Sequence, residues 1–411
     1  MNDIRKVDIV TRVEGHGSVE LFLDRARVVD ARFNLHESPR LFEALLVGRR
    51  FDEIADIACR ICSICSTVHK VAALQAVEQA MGIVVSRQTG LLRELAVQGG
   101  QIESHALHLF CLALPDYLGV NGFQELAAIA PVWLKLGLKI KKIGNMIQEI
   151  VGGRAIHPFN LLLGGVGKIP NAGELTSMGG QLEEIRGEVS GSVAYILGLK
   201  ELLPPIGLFP ACAVSGGAPL FGDHLVTETS LTIPAQSAAS WLDERIESHS
   251  NAKVSNFNGT DTYMVGPLAR LAISMPVEYR QHFITATIGS SVKARIVELQ
   301  LAVGRATFLI EELLADGIYK ESAQAIKPTE GTGTALIEAP RGVLLHSYRF
   351  DINGICCNAN IITPTAINQG AIAGSLKEVV LAMDGAEYRQ VKSAAEILIR
   401  CYDPCISCAV H

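Results

Sequence analysis

Apolar residues alternate with polar ones over residues 18–36, where Val19, Leu21 and Leu23 lead on to Val28, Val29, Ala31 and Phe33. Period-two spacing predicts a β-hairpin here, with Asp24-Arg25 at its turn. From Leu41 the period becomes helical, through Leu41-Phe42, Leu45-Leu46, Ile54 to Ile57 and Val71 to Met81. A long helical pattern covers 86–113 and stops at Pro115; another covers 127–151 and breaks at Gly152-Gly153. Helical patterns return at 172–200, 234–248 and 277–315. Gly331-Thr332-Gly333-Thr334 then leads to a Pro340 turn. Val343 to Arg349 and Ile355 to Ile362 read as strands joined at Asn353-Gly354. Helix resumes at 375–400 and ends at Tyr402. The predicted class is α+β, mostly α: a large helical-bundle core, an N-terminal β-hairpin and a second small β element near 343–362.

Composition narrows the partners. With 411 residues and 49% hydrophobic content the chain can bury a large core, and length alone allows two or three domains. A net charge of −6 leaves no footprint for nucleic acid. The densest basic run, Lys139, Lys141 and Lys142, reads as a solvated helix face. The start, Met1-Asn2-Asp3-Ile4-Arg5-Lys6, lacks an apolar signal core, and no run of about 18 apolar residues spans a membrane. A soluble protein is expected. Gly164-Gly165-Val166-Gly167-Lys168 resembles a phosphate loop, but Ile169 stands where the metal-binding hydroxyl belongs, so a structural glycine turn is the better reading.

The chemistry concentrates in two clusters. Cys62-Ser63-Ile64-Cys65 is followed by His69, and Cys405-Ile406-Ser407-Cys408 by His411. Ten cysteines in 411 residues are too sparse for a disulfide scaffold, and their clustering fits metal binding in a reducing compartment. Cys59, Cys111, Cys212, Cys356, Cys357 and Cys401 are expected to be small buried hydrophobes. Paired C-x-x-C most often holds structural zinc, yet zinc ribbons keep their pairs within about 15–20 residues, whereas here nearly the whole chain separates them. Arg60 and Asp403 flank the two pairs, and each pair carries a histidine, which is more supporting apparatus than a structural staple needs. A catalytic or redox metal is the sharper reading, and a site built from both ends makes 1–411 one domain. Glu14 at an apolar strand boundary reads equally as a solvated surface group or a site residue, while Arg341, on a turn between apolar strands, reads rather more as a site residue.

Together these residues resemble the large, catalytic subunit of nickel–iron hydrogenases. Arg60 to His69 follows that family's R-x-C-G-x-C-x-x-x-H, and Asp403 to His411 its D-P-C-x-x-C-x-x-H. Thr11 to His16, Phe42 to Arg49, Gly153 to Gly165, Glu338 to His346 and Asn360 to Asn368 also fit. Ser63 departs from the family glycine, altering the turn or adding a hydroxyl near the metals. Ser104 stands where many members carry an aspartate, thinning the acids around Arg341. The compact length and the Glu-Ala-Pro-Arg-Gly form look more like the cytoplasmic, multi-subunit branch.

The resemblance implies that Cys62, Cys65, Cys405 and Cys408 bind nickel. Cys65 and Cys408 would bridge to an iron that also carries carbon monoxide and cyanide. Arg341, Pro364 and Thr365 match the positions that hold the cyanides; Glu43, His411 and the Ile361 carbonyl match a magnesium (or ferrous) site; His69 orients the cysteines. The implied reaction is heterolytic cleavage of H2, with Cys405 taking the proton and a buried Glu14, its pKa raised, passing it on. Arg341, oriented by Asp403, supplies electrostatic positioning. Outside the metal motifs no cysteine pattern suits an iron–sulfur cluster, so electrons are expected to leave through other chains: an iron–sulfur small subunit, with diaphorase-like subunits beyond it. His411 is expected to be a terminus left by a maturation protease. The competing readings are a non-catalytic relative of the quinone-site subunit of respiratory complex I, which the four cysteines disfavour, and a zinc-stapled helical scaffold.

Overall fold

The computed structural model describes residues 4–24, 27–259, 261–321 and 324–411. Arg87–Leu107 lies against both Pro131–Gly152 and Ser291–Asp316, and the last also packs on Ala172–Leu197. Each presents an apolar stripe at helical spacing, such as Ile140, Ile143, Ile147 and Val151, or Leu175, Met178, Leu182, Ile185 and Val189. Two of the four starts carry side-chain caps: Ser86 accepts from the Thr89 amide, and Asn171 with Glu174 forms a reciprocal capping box. Ser66–Met81 is buried on nearly every side, enclosed between the bundle and the strand Gly331–Ala339.

The largest sheet is antiparallel, in the order Cys356–Ile362, Gly342–Phe350, Gly331–Ala339, Phe221–Thr227, Cys212–Gly216, with Thr232–Pro234 pairing beside Phe221–Thr227. The second β element is thus larger than the pattern predicts. Residues 331–334 are strand rather than loop, and the 212–234 strands are short, with glycine, proline and threonine interrupting their alternation.

Other elements differ in similarly explicable ways. The hairpin over 18–36 gains Ile4–Ile9 as a third strand; Arg25 of its expected turn lies outside the described residues, as do Met1, Asn2 and Asp3. Pro115 does not stop the first long helix. The chain passes through a π-helical turn, His108–Ala113, into Leu114–Leu118, with Pro115 in its first turn. Proline has no N–H to give to the preceding turn and crowds its carbonyl, and the wider π turn accommodates both. Pro131 splits the 127–151 pattern into Phe123–Ile129 and Pro131–Gly152. In 234–248 only Ala235–Trp241 is helical, because Leu242–Ile246 pairs with Lys253–Phe257. The 277–315 pattern opens with two 3-10 turns before Ser291–Asp316. The last pattern divides into Pro364–Ala382 and Tyr388–Tyr402. Among the described residues no helix is long and apolar enough to cross a membrane.

Candidate metal centre

Two chain segments nearly 350 residues apart close on each other. The first pair of cysteines ends at Cys65, the N-cap of Ser66–Met81, and the Cys65 amide donates to Cys62 Sγ at 3.3 Å. The second pair follows Tyr388–Tyr402, which stops because Asp403 adopts a left-handed φ of 51° and Pro404 cannot continue the helix. The C-terminus is held in place. Ile406 N donates to Glu14 O (3.2 Å), Arg40 N to Val410 O (3.1 Å), and the Arg40 guanidinium to the carbonyls of Ile61 and Ser407, each at 2.5 Å.

The Sγ atoms of Cys62, Cys65, Cys405 and Cys408 are buried and lie within 4.8 Å of one another. Cys62 and Cys405 are 3.3 Å apart, Cys405 and Cys408 2.9 Å. Hydrogen bonds from the other thiols, with Arg341 nearby, hold Cys65 well below the ordinary thiol range, while burial pushes Cys405 and Cys408 well above it. Four buried sulfurs this close cannot all be thiolates without a cation among them, and soft donors in this number suit a transition metal.

Beside the sulfurs is a small cavity lined by Cys65, Cys405, Cys408, His69, Ala339, Arg341, Leu344, Pro364 and Thr365. Arg341 reaches it from a two-residue hairpin loop, Pro340-Arg341, closed by the Ala339–Gly342 pair. Gly342 takes φ 129°, and a Cβ there would meet the Gly266 amide at 2.7 Å, so only glycine permits this turn against its neighbour. Arg341 is buried; its Nε donates to Asp403 O (2.7 Å), one terminal nitrogen to Asp403 Oδ1 (3.1 Å), and the other lies 3.4 Å from Cys65 Sγ. Thr365, in the first turn of Pro364–Ala382, accepts from the Cys405 amide at 2.9 Å.

Two further constellations touch Cys408. His69 Nε2 is 3.5 Å from its Sγ, His69 Nδ1 is 3.0 Å from His346 Nε2, and His346 Nδ1 is 2.5 Å from the Tyr348 hydroxyl. Burial lowers His69 to about 4 and depresses His346 further, and it raises Tyr348 well above the phenol range, so all three are neutral. On the other side His411 Nδ1 meets Cys408 O (2.6 Å), and its Nε2 meets Ile361 O (2.8 Å) and Glu43 Oε1 (3.9 Å). Burial alone would raise Glu43, but His411, Lys253 and the Ile361 amide outweigh it and bring it to about 2. A carboxylate, a carbonyl and an imidazole thus lie close together beside Cys408, two oxygen donors with one borderline nitrogen.

The remaining expected residues are placed less uniformly. Glu14 is half-buried rather than buried, with its carboxylate accepting from the Ser407 amide (3.0 Å) and hydroxyl (2.5 Å). Arg60 and Ser63 are exposed, so neither supports the cluster from inside. Ser104 is buried with its hydroxyl unpartnered. Cys357 is exposed, unlike the other five cysteines outside the cluster, on the outer stretch Cys357-Asn358 of its strand. Not read from the sequence were His346, Tyr348, Lys253 and Arg295, whose guanidinium lies 3.3 Å from Asp403 Oδ2. Each sits in an ordinary strand or helix pattern, and only the burial of a polar side chain, or for the half-buried Lys253 its pairing with Glu43 and Glu244, marks it.

Comparison with known proteins agrees with this geometry. The sequence profile of the nickel-dependent hydrogenases matches residues 40–132 and 237–411, and a HoxL-like profile matches residues 6–37. The chain is 36% identical to the alpha chain of sulfhydrogenase 2 of Pyrococcus furiosus over 99% of both chains. It is 32% identical to the alpha chain of sulfhydrogenase 1 of the same organism, covering 98% of this chain and 97% of that one. Its fold superposes on a chain of an NAD+-reducing [NiFe]-hydrogenase in the H2-reduced state with a TM-score of 0.87, at 25% identity over the full length of both. Matches over this much of the chain leave one assignment: it belongs to the nickel-dependent hydrogenases, as their large, catalytic subunit.

Proposed function

We propose that this hydrogenase subunit cleaves H2 heterolytically at a nickel–iron centre whose iron carries carbon monoxide and cyanide. The observation that carries the reading is the four-cysteine cluster with a cavity beside Cys65, Cys405 and Cys408, whose sulfurs would hold the metals. When bound, the metals supply the Lewis acidity that polarises H2.

The chain's own residues do the rest. Arg341 and the first turn of Pro364–Ala382, with Thr365, offer donors to cyanide nitrogens, while Ala339 and Leu344 give the cavity apolar walls suited to carbon monoxide. Asp403 holds Arg341 on two atoms, so its guanidinium serves as a fixed positive charge rather than a base. His69 orients Cys408. Cys405 Sγ takes the proton and Glu14 carries it on, a role supported by the pairing of the Glu14 backbone with Cys405. Glu43, His411 and the Ile361 carbonyl hold magnesium, which would tie down the C-terminus.

Electrons leave to an iron–sulfur small subunit, then to diaphorase-like subunits. Exposed Arg60 and Ser63 lie over the first cysteine pair, and the adjoining loop, fixed by the bond of His157 Nδ1 to Cys59 O (3.0 Å), exposes Ile156 and Phe159. This apolar surface close to the cysteines suits such a partner. The reading treats 1–411 as one functional unit, supported by a core drawing on residues from Val10 to Val410, and places it in the cytoplasm, where thiols reserved for metal stay reduced.

Infrared spectra of the metallated protein test this directly: carbonyl and cyanide stretches are expected, and their absence from active preparations overturns the reading. Glu14→Gln should keep those bands while hydrogen–deuterium exchange falls about a hundredfold or more. Wild-type exchange in that variant removes Glu14 from the relay.

A further inference from the structure

The half-buried Glu14 carboxylate is held by Ser407, which stands between it and a second, more peripheral carboxyl group. Among the described residues, four polar lines can be followed from the cysteine cluster. Arg341–Asp403–Arg295 consists of guanidiniums around one carboxylate, and guanidinium does not release protons at any working pH. His69–His346–Tyr348 ends in a fully buried phenol. The His411–Glu43–Lys253 line is committed to a cation. The fourth runs through Glu14 and ends in solvent.

Along this line Ser407 Oγ lies 2.5 Å from Glu14 Oε1 and 3.2 Å from Glu37 Oε2. The other Glu37 oxygen, Oε1, lies 3.3 Å from His16 Nδ1, and the His16 side chain is 83% exposed against 24% for Glu37. We propose that Glu37 and His16 form the outlet by which protons reaching the Glu14–Ser407 pair leave the protein. The inference rests on the relay reading of Glu14.

Hydrogen-bond accounting supports it. A serine hydroxyl has one proton to donate and can accept others. Ser407 stands between two carboxyl groups, so both contacts become hydrogen bonds only when one of those groups is itself protonated. Ser407 thus bridges the two carboxyl groups and can pass a proton from one to the other. A proton arriving on Glu14 passes to Ser407 Oγ as the hydroxyl's own proton moves to Glu37, leaving Ser407 neutral. Glu37 then yields its proton to His16 or to water, and His16 releases it outside. Charge and protons balance, and no other reactant is needed.

The backbone holds both ends of this line in register. Gly15 separates Glu14 from His16 with φ 85°, and a Cβ there would lie 2.8 Å from Glu37 Oε1 and 2.6 Å from Ile406 Cβ. Only glycine lets the Glu37 carboxylate and the C-terminal segment approach the turn together.

The test uses the assembled holoenzyme with Glu37→Gln, Glu37→Asp, His16→Ala and Glu14→Gln. Glutamine at 37 can still bond Ser407 but cannot accept its proton. Infrared bands unchanged from wild type, with hydrogen–deuterium exchange lowered about tenfold or more and partly restored in Glu37→Asp, support the outlet. His16→Ala should lose a smaller share of activity, restored by added imidazole. Slow exchange in Glu14→Gln beside wild-type exchange in Glu37→Gln overturns the outlet and leaves Glu14 standing. Wild-type exchange in both overturns the Glu14 reading as well. A loss in Glu37→Gln with shifted bands marks a structural role and also overturns the proposal. An unchanged His16→Ala removes His16 from the path.

Discussion

Tyr348 sets the direction of the histidine chain behind Cys408. Its hydroxyl is buried with a raised pKa, and its partner is His346 Nδ1. If it donates there, His346 carries its proton on Nε2 and donates to His69 Nδ1. His69 must then carry its proton on Nε2, aimed at Cys408 Sγ. The opposite set of tautomers would point a lone pair at the sulfur of a metal-bound thiolate, which repels it. The expected consequence concerns Tyr348→Phe. Leaving His346 Nδ1 without a partner costs about 1–3 kcal/mol of stability. Loss of the enforced donor makes the Cys408 sulfur more electron-rich, so the carbonyl band expected of the proposed nickel–iron centre should move to lower frequency. An unmoved band would reduce the chain to packing. At this scale the sequence was legible where ligands sit three apart in C-x-x-C, since spacing itself carries the chemistry. It was silent on His346 and Tyr348, which look like alternate positions of an ordinary strand, 277 and more residues from the histidine they serve.

Between elements, Arg270 acts as the staple that fixes the Arg341 turn. It sits on Pro267–Ile273 and is largely buried, with 10% of its side chain exposed. Its guanidinium grips Glu298 of Ser291–Asp316 through two bonds of 2.6 Å, and Glu338 at the end of Gly331–Ala339 at 2.6 Å. It also donates to the carbonyls of Ala339 and Pro340. Burial alone would raise Glu298, but Arg270 and His105 overcome it and bring it from 4.5 to about 2. A depressed carboxyl stabilises the fold fully above its unfolded value and loses that contribution as pH falls through the folded one. Glu298→Gln should therefore lower stability by about 3–5 kcal/mol at neutral pH, by stranding part of Arg270. The gap from wild type, read from denaturant midpoints, should narrow between about pH 4.5 and 2. A gap constant across that window would show that Glu298 is not the titrating partner. The pattern located the bundle helices because their stripes are long and periodic. It could not locate the 212–234 strands or divide 234–248, because short strands are decided by the neighbours they pair with.

For the molecule as a whole, the site lies where the chain's two ends and its 340s and 360s meet, so metal loading and C-terminal order are coupled. The segment from Asp403 to His411 is buried apart from the half-buried Ser407, yet it carries four sulfur-bearing or charged groups whose satisfaction depends on what they hold: Asp403, Cys405, Cys408 and His411. Its direct backbone ties are few, to Glu14 and Arg40. The bundle helices Arg87–Leu107 and Ser291–Asp316, by contrast, rest on apolar packing that no metal touches. Withdrawing the metals leaves close-packed sulfurs to neutralise one another by protonation, which costs binding free energy that had served as folding free energy. Local opening should then become easier at the site than elsewhere. Amide exchange on metal-free protein is expected to rise at least about tenfold across 403–411, 11–16 and 60–66, equivalent to about 1.4 kcal/mol of lost protection, while the two bundle helices keep theirs. Equal loss everywhere would make the metals a support of the global fold. Unchanged protection at 403–411 would show that the C-terminus is pinned by its apolar neighbours alone, and that Ile406, Ala409 and Val410 do what the reading assigns to the ions.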